Sequence, residues 1–329
     1  MTARGDVLPD HATPAAARCS IDAPGRSHGR PTAGHAHRDT IFVEEGTLLA
    51  RQEHPGRQYV VRIQAPRCAA AARPGSFAHL TCDPGRPMRR PLSLMRANGR
   101  EGWIDILYKV VGPGLDELSR QPVGAKLSVL GPIGQGFVAH AQRPRTLLVG
   151  GGVGIPPMVF LAETLRARAT EAAWKPVVLM GSEIGFPFRA RPSTILVPGM
   201  PAEAIACMPL LDDWGIASRL ASFGGFAGCY HGYVTDLAAY WLASFDATAL
   251  AEVEVFACGP TPMLQAMARV ARRFGVPCQV SLEEFMACAV VGCAGCAVPV
   301  VHPDGSLAMK RVCVDGPVFD ANAVFPPVT

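Results

Sequence analysis

The sequence predicts a β-barrel, then an α/β domain built on a parallel sheet, then a small C-terminal unit. Short strand-like runs separated by Gly and Pro turns fill residues 39–142, and such spacing is typical of a closed barrel or sandwich. Apolar strands alternate with amphipathic helices over residues 143–280, which favours a parallel sheet covered on both faces. Four cysteines gather within residues 281–329 and mark the third unit.

The composition is that of a globular protein with more than one domain. The chain has 329 residues, of which 49% are hydrophobic and 18% charged. Its formal net charge of +4 is small and no basic run is interleaved with aromatic residues, so no nucleic-acid partner is expected. The most apolar window, TLLVGGGVGIPPMVFLAETL, is interrupted by glycines and two prolines, and the start lacks the apolar core of a secretory signal. We expect a cytoplasmic protein with no membrane partner.

Residues 1–38 and most of the cysteines are not predicted to carry function. The first 38 residues contain four of the nine histidines, four prolines and no hydrophobic periodicity, which predicts a disordered leader; metal binding by this tract is the alternative. Eleven cysteines without a secretory signal argue against a disulfide framework. Seven of them lie in apolar surroundings and are expected to be buried small hydrophobes: Cys19, Cys68, Cys82, Cys207, Cys229, Cys258 and Cys278.

In the barrel region, four runs are predicted strands: QYVVRIQA, SFAHLTC, GWIDILYKVV and GAKLSVLGPIG. The motif RRPLSL places four residues at a strand edge: Arg90, Pro91, Leu92 and Ser93. An arginine there could bind a pyrophosphate through two hydrogen bonds, and a serine could bind a flavin ring; an ordinary surface Arg-Arg pair is the alternative. Glycines in LYKVVGPGL and GPIGQGF would let backbone amides approach phosphate, or simply turn the barrel corners.

The α/β region contains two similar strand–turn–helix units. In the first, the strand RTLLVGG and the turn GGGVG precede a helix whose buried face is Met158, Leu161, Ala162 and Leu165. A glycine-rich turn in this context holds dinucleotide phosphates on a helix N-terminus, although the spacing is not G-x-G-x-x-G and close helix–strand packing is the alternative. In the second, Thr261 is the predicted N-cap, the predicted buried stripe is Met263, Met267, Val270 and Phe274, and Gly275 ends the helix.

The run EEFMACAVVGCAGCAVPV raises the question of what its cysteines bind. Cys288, Cys293 and Cys296 have the spacing C-x4-C-x2-C, and Cys313 follows after sixteen intervening residues. This is the plant-type arrangement for a [2Fe–2S] cluster, whereas zinc sites usually bring two separated pairs of ligands. The small residues between the cysteines leave backbone amides free to hydrogen-bond the sulfurs. A zinc site and a buried cysteine-rich strand are the alternatives.

The motifs in this order resemble the ferredoxin reductase superfamily, and more narrowly the electron-transfer subunits of NAD-linked dihydroorotate dehydrogenase. The resemblance covers residues 39–329 and rests on RPLSL, LYKVVGPG, GPIGQGF, GGGVGIPPM, GYVTDL, ACGPTPM and the SLEEFMAC to RVCVDGPVF segment. It implies four parts: a disordered leader (1–38), an FAD-binding barrel (39–142), an NAD-binding-like α/β domain (143–280) and a [2Fe–2S] domain (281–329).

The resemblance also implies site residues for each cofactor. FAD would be contacted by Arg90, Pro91, Leu92, Ser93, Leu107, Tyr108, Lys109, Gly114 and Leu115. NAD, a co-substrate, would face Gly150, Gly151, Gly152, Gly154, Cys258, Gly259 and Pro260. The cluster would be ligated by Cys288, Cys293, Cys296 and Cys313, and no side chain is implied as an acid–base catalyst.

The implied activity is electron transfer in pyrimidine biosynthesis. Dihydroorotate would be oxidised at the FMN of a separate catalytic subunit in a heterotetramer of two plus two chains, and electrons would pass through the [2Fe–2S] cluster and FAD to NAD⁺. A rival within the same superfamily is an NAD(P)H-dependent reductase that feeds a ferredoxin, hydrogenase or oxygenase. A zinc-binding module without flavin is the alternative from another class.

Three features depart from the family's pattern. Leu115 stands where a threonine is common, which removes a hydroxyl but leaves the backbone of the phosphate turn. Ala289 and Val291 stand where two glycines are expected, and the loop is strained if those positions have positive φ. The segment 182–231 is longer than expected and contains no motif that predicts a function.

Overall fold

The computed structural model describes residues 40–83, 85, 88–170, 172–290 and 292–327, which lie within one compact unit. The predicted leader and Cys19 fall outside the described residues. Within those residues, no helix is both long enough and apolar enough to cross a membrane.

A closed antiparallel barrel forms the first half of this unit. Its elements are β1 (Phe42–His54), β2 (Gln58–Gln64), α1 (Pro66–Ala71), β3 (Phe77–Thr81), β4 (Arg90–Asn98), β5 (Trp103–Lys109), α2 (Pro113–Arg120) and β6 (Lys126–Ile133). The strands follow the order β1-β2-β5-β4-β3-β6 around the barrel. The interior is filled by apolar side chains that alternate along the strands, among them Ile63, Leu80, Leu94 and Ile106, which are fully buried. The predicted barrel is confirmed.

The second half contains a six-stranded sheet with helices on both faces. Its elements are β7 (Arg145–Gly151), a 3₁₀ turn (Gly152–Gly154), α3 (Ile155–Ala167), β8 (Val177–Gly181), β9 (Arg191–Pro192), β10 (Ala206–Cys207), α4 (Pro209–Asp213), β11 (Ala217–Ala221), α5 (Val234–Ala243), α6 (Ala247–Ala251), β12 (Val253–Cys258), α7 (Thr261–Phe274) and β13 (Cys278–Ser281). The C-terminal part adds β14 (Ala297–Val301), β15 (Leu307–Arg311), β16 (Val318–Asp320) and α8 (Ala321–Val324).

The strand order places a crevice at the centre of this sheet. The order is β11-β8-β7-β12-β13-β16, in which all neighbours are parallel except β13 and β16. From β7 the chain adds β8 and then β11 on one side of the sheet. It then crosses back and adds β12 and β13 on the other side of β7, so the direction of strand addition reverses between β7 and β12. Ligands of open parallel sheets bind at such a reversal, beyond the carboxyl ends of the strands.

The predicted helix faces are correct for α3 and need correction for α7. All four predicted residues of α3 are buried. On α7 the N-cap is Pro260 rather than Thr261, and the buried residues are Leu264, Met267, Ala268 and Ala271. Small alanines face the sheet because they allow close approach, while the larger predicted residues Met263, Val270 and Phe274 are half-buried at the margins of the face.

The scattered cysteines have the burial that their surroundings predict. Cys68, Cys82, Cys207, Cys258 and Cys278 are buried, and Cys229 is half-buried. Burial raises the pKa of the Cys68 thiol to about 12, which keeps it neutral at ordinary pH. These residues therefore pack as small hydrophobes.

Within the segment 182–231, one buried carboxylate ties a loop to a helix. Asp212 on α4 accepts hydrogen bonds from Ser193 Oγ at 2.8 Å, Thr194 Oγ1 at 3.0 Å and Arg191 Nη2 at 3.3 Å. Burial raises the pKa of Asp212, but the hydrogen bonds from Ser193 and Thr194 outweigh this effect and leave the pKa below its ordinary value. The loop before β10 is thereby tied to α4.

Asp212→Asn is expected to destabilise the protein at pH 7 by about 1–3 kcal/mol, because a carboxylate that accepts several hydrogen bonds is lost. Since the folded-state pKa is lowered, the stabilisation is present above the ordinary pKa of 3.8 and is lost as pH falls through the folded value. Urea unfolding at pH 7 and pH 3 should therefore give a difference that shrinks at pH 3. The exposed neighbour Asp213 is the control, and an equal effect of Asp213→Asn would contradict the assignment.

Candidate cofactor and cluster sites

The structure brings together two predicted flavin motifs that lie far apart in sequence. Arg90 begins β4, and Gly114 lies in the first turn of α2. A Cβ atom on Gly114 would lie 2.9 Å from Nε of Arg90, so glycine lets the guanidinium lie close to the backbone at this corner. A helix N-terminus beside an arginine is an anion-binding arrangement, and it fits the pyrophosphate of FAD.

The remaining predicted flavin residues line the same part of the barrel. Ser93 is half-buried on β4 and pairs with Phe77 of β3, while Pro91 is half-buried and Leu92 is buried. On β5 and α2, the side chains of Leu107, Tyr108 and Leu115 are buried in the apolar cores, and Lys109 is exposed. Leu115 therefore contributes packing and a backbone amide rather than the hydroxyl that the family pattern predicts.

A cleft beside this corner contains residues that the sequence analysis missed. Its volume is about 530 Å³, and it is lined by Arg57, Val110, Val111, Gly112, Pro113, Asp116 and Arg120. Asp116 forms ion pairs with both Arg57 and Arg120. Arg57 lies in the turn between β1 and β2, more than fifty residues before α2, and no local motif indicates that it joins the site.

The two predicted nucleotide-binding turns meet at the reversal of the sheet order. β7 and β12 are paired with Gly150 opposite Cys258. A Cβ atom on Gly154 would lie 2.2 Å from the carbonyl oxygen of Cys258, so the two turns touch through their backbones. Gly152 has φ +54°, and no atom lies within 4 Å of the position of an added Cβ, which leaves open space in front of the turn. This arrangement before α3 fits a dinucleotide phosphate.

The side chain of Cys258 does not face this space. It is fully buried, and burial raises the pKa of its thiol. Gly259 is buried with φ +157°, and Pro260 is exposed. Any contact from this turn to a nucleotide therefore involves the backbone and Pro260 rather than the thiol.

The four C-terminal cysteines lie in two pairs. Cys296 and Cys313 are buried, with their Sγ atoms 3.4 Å apart. Cys293 is hydrogen-bonded to Cys288, and the amide of Gly295 donates to Cys293 Sγ at 3.4 Å. Hydrogen bonds from the backbone amides of Gly295 and Cys288 lower the pKa of Cys293 to about 7, which favours the thiolate that a metal requires.

This pairing fits a two-iron cluster, in which each iron takes two cysteine sulfurs. The donor set is all sulfur, which suits a [2Fe–2S] cluster and also a four-cysteine zinc site.

The loop that carries these cysteines contains backbone strain at one of the two suspected positions. Ala289 is buried and has φ +57°, a conformation that favours glycine. Ala294 has φ +53° in the same loop. Val291, the second suspected position, lies outside the described residues.

Comparisons with known proteins agree with this geometry. A sequence model of the iron–sulfur cluster binding domain of dihydroorotate dehydrogenase B matches residues 283–325, a range that contains all four cysteines. The electron transfer subunit of dihydroorotate dehydrogenase B (NAD(+)) from Geobacillus thermodenitrificans is 34% identical over 288 residues, which cover 86% of this chain and 99% of that protein. The chain belongs to the family of dihydroorotate dehydrogenase B electron transfer subunits. A member from Caldanaerobacter subterraneus is 34% identical over 251 residues, covering 76% of this chain and 86% of the relative.

Solved structures of other proteins share the architecture of this chain. The structure of an NADH-dependent reduced ferredoxin–NADP oxidoreductase, a protein studied for flavin-based electron bifurcation, has a TM-score of 0.66 and 27% identity over 85% of this chain and 89% of its own. The ferredoxin reductase of carbazole 1,9a-dioxygenase has a TM-score of 0.55 and 21% identity over 72% of this chain and 67% of its own, which supports the fold alone. The predicted ferredoxin-reductase architecture is confirmed.

Ala289→Gly is expected to stabilise the cysteine loop by up to about 1 kcal/mol, because relief of the left-handed strain exceeds the entropy that glycine adds to the unfolded chain. Thermal unfolding and the iron retained after exposure to a chelator would measure the effect. Ala287→Gly is the matched control, since Ala287 lies in the same loop without positive φ. A loss of stability in Ala289→Gly as large as in the control would contradict the strain.

Proposed function

We propose that this chain transfers electrons between a dihydroorotate-oxidising catalytic subunit and a nicotinamide nucleotide. The observation that carries the proposal is the coincidence of the matched iron–sulfur domain with four cysteines in two pairs. The flavin corner and the dinucleotide turn lie in the same compact unit. Together they provide a place for each carrier that the family's named activity requires.

Each cofactor is assigned to a set of residues. Arg90 and the N-terminus of α2 hold the FAD pyrophosphate, and Ser93 hydrogen-bonds the flavin ring, with Leu107, Tyr108, Lys109 and Leu115 forming the adjoining wall. Gly150, Gly151, Gly152 and Gly154 hold the NAD phosphates beside Gly259 and Pro260. Cys288 with Cys293, and Cys296 with Cys313, ligate the [2Fe–2S] cluster.

The chain's own contribution is position and environment. When bound, FAD would convert between two-electron transfer as hydride and one-electron transfer, and the cluster would carry one electron at a time. The amides around Cys293 stabilise negative charge on its sulfur, as the lowered pKa indicates. We nominate no acid–base catalyst, because no step assigned to the chain requires one.

The domain boundaries follow the same assignment. We place the FAD-binding barrel in residues 39–142, the nucleotide-binding half in 143–280 and the cluster domain in 281–329, after a leader of residues 1–38. The cluster domain remains tied to the nucleotide-binding half, because β16 pairs with β13 at the edge of the sheet.

The partner is proposed to be the FMN-containing catalytic subunit, in a complex of two plus two chains. The family's name as an electron transfer subunit supports a catalytic partner. We place the docking site for this partner on the surface beside the cluster. Phe285 is 95% exposed there, and Val290 is 41% exposed, close to the cysteine ligands. Exposed aromatic side chains of this kind are typical interface anchors, and electron transfer requires a short gap.

A reductase that feeds a ferredoxin, hydrogenase or oxygenase is the second candidate. The observation that favours it is the 27% identity and TM-score of 0.66 to the NADH-dependent reduced ferredoxin–NADP oxidoreductase. Dihydroorotate-dependent reduction of NAD⁺ by the complex with a catalytic subunit would support the first candidate, and its absence with active ferredoxin reduction would support the second.

The cofactor assignment is tested by an anaerobic absorbance spectrum with iron, sulfide, zinc and flavin assays on the same sample. We expect flavin bands and about two iron and two sulfide per chain, as a [2Fe–2S] cluster requires. Cys296→Ser should lose iron and keep the flavin, because the flavin corner lies in the barrel. A colourless protein that contains zinc would overturn the proposal.

Phe285→Glu is expected to abolish co-purification with the catalytic subunit. An aromatic anchor at the centre of an interface contributes on the order of 2 kcal/mol or more to the binding free energy, and the variant replaces it with a charge. Leu307→Glu is the matched control. Leu307 is 66% exposed and lies at the far end of the β14–β15 hairpin from the cysteine loop. Retention of the complex by Phe285→Glu would exclude this docking face.

A further inference from the structure

A row of alternating arginine and tryptophan side chains crosses from the barrel to the α/β half. The guanidinium of Arg62 lies 3.6 Å from the ring centre of Trp103, and that of Arg96 lies 5.4 Å from Trp103 and 5.1 Å from Trp214. The guanidinium of Arg166 lies 5.9 Å from the ring centre of Trp214. Cation–π contacts at these distances are attractive. The row passes from one half to the other at Arg96.

Arg96 also forms an ion pair that joins the two halves directly. Its Nη2 lies 2.6 Å from Glu163 Oε1, and its Nε lies 3.1 Å from both carboxylate oxygens. The two side chains are only 22% and 26% exposed, so water and salt screen the pair less than an open surface pair. The fork geometry fixes the orientation of the two groups as well as their distance.

The two elements joined by this pair are the ones that carry the proposed redox sites. Arg96 lies on β4, three residues after Ser93. Glu163 lies on α3, and the glycine turn that faces the nucleotide opens this helix. The pair therefore fixes the flavin-bearing strand against the nucleotide-bearing helix.

The segment 182–231 reinforces this junction at two points. Trp214, at the end of α4, covers Arg96. At the start of the segment, the side chain of Gln58, 2% exposed, donates from Nε2 to the carbonyl oxygen of Gly185 at 2.7 Å and to that of Pro55 at 2.8 Å. Phe186 packs in the same apolar cluster as the barrel residues Met95 and Leu107. The sequence of this segment contains no motif that predicts such a role.

We propose that Arg96, Glu163 and Trp214 form a positioning cluster that sets the distance between the flavin and the nicotinamide, and that the segment 182–231 serves to complete it. This proposal rests on the proposed function. Hydride transfer, NADH + H⁺ + FAD giving NAD⁺ + FADH₂, needs reacting atoms about 3–3.5 Å apart, and a misplacement of 1 Å costs on the order of 100-fold in rate. A rigid junction between β4 and α3 meets this need.

The test compares Arg96→Leu and Trp214→Leu with Arg62→Leu, the matched control. Arg62 has the same chemistry, with two hydrogen bonds to Asp105 at 2.7 and 2.8 Å and a tryptophan under its guanidinium, but all three residues lie within the barrel. In the two junction variants, flavin bleaching by saturating NADH should slow by about tenfold or more while the Kd for NADH stays within about twofold. The long-wavelength charge-transfer absorbance of the flavin–nicotinamide pair should weaken in parallel.

Two further variants separate positioning from folding. Trp214→Phe should retain most of the rate, because it keeps an aromatic face for Arg96. Exchanging the charges in Arg96→Glu with Glu163→Arg should recover part of the rate that either single change loses. Equal slowing in Arg62→Leu, or an unchanged rate in both junction variants, would overturn the proposal.

A readout that needs no cofactor keeps the two proposals distinguishable. Hydrogen exchange of the amides in residues 90–96 and 150–158 should accelerate in Arg96→Leu and not in Arg62→Leu. A wild-type protein without flavin would contradict the proposed function. Unchanged exchange in Arg96→Leu would overturn the positioning cluster whether or not flavin is bound.

Discussion

The central constraint in this molecule is the contact between the turn after β7 and the end of β12. Gly154 approaches the carbonyl oxygen of Cys258 so closely that no side chain fits between them. Because β7 and β12 are neighbours at the reversal of the strand order, this contact fixes where the crevice opens and where α3 begins. The helix then packs along β4, and through β4 the barrel takes its place against the sheet.

The positive potential at the proposed anion sites is local and does not come from the overall charge. The net charge of +4 is small, yet Arg90 sits against the first turn of α2, and open space lies in front of the turn that precedes α3. Backbone amides at helix N-termini and single arginines supply the positive potential at these two places. Local geometry therefore supplies positive potential at these two places in a chain whose composition gives no indication of it.

Much of the fold could be predicted because its signals are local. Strand alternation, the strand–turn–helix units and the face of α3 depend on residues within about one turn or strand of each other. The cysteine spacing is similarly local, because three of the four cysteines lie within nine residues. The structure adds to these predictions that Cys296 lies against Cys313 and that Ala289 adopts the left-handed conformation.

The features that could not be predicted depend on contacts distant in sequence. The sequence of β1, FVEEGTLLARQEH, does not alternate apolar and polar residues, although Gly46 and Leu48 are buried, so this strand has no period-two signal to recognise. Arg57 meets α2 because the pairing of β2 with β5 brings it beside Val110, and Trp214 reaches Arg96 across the junction between the halves. The stripe on α7 was misplaced because the alanines that face the sheet are less apolar than the larger residues at its margins. Tertiary packing, not local hydrophobicity, decided each of these.

The antiparallel pairing of β16 with β13 has a consequence for the order in which the protein can be completed. β13 ends at Ser281, but the strand that covers its open edge begins at Val318, five residues after Cys313. During synthesis from the N-terminus, the sheet keeps an exposed edge until the last residues emerge, and the fourth sulfur becomes available at nearly the same moment. Closure of the sheet and completion of the four-cysteine set are thus late events, and a chain that stops short of residue 313 has neither a covered edge nor all four cysteines.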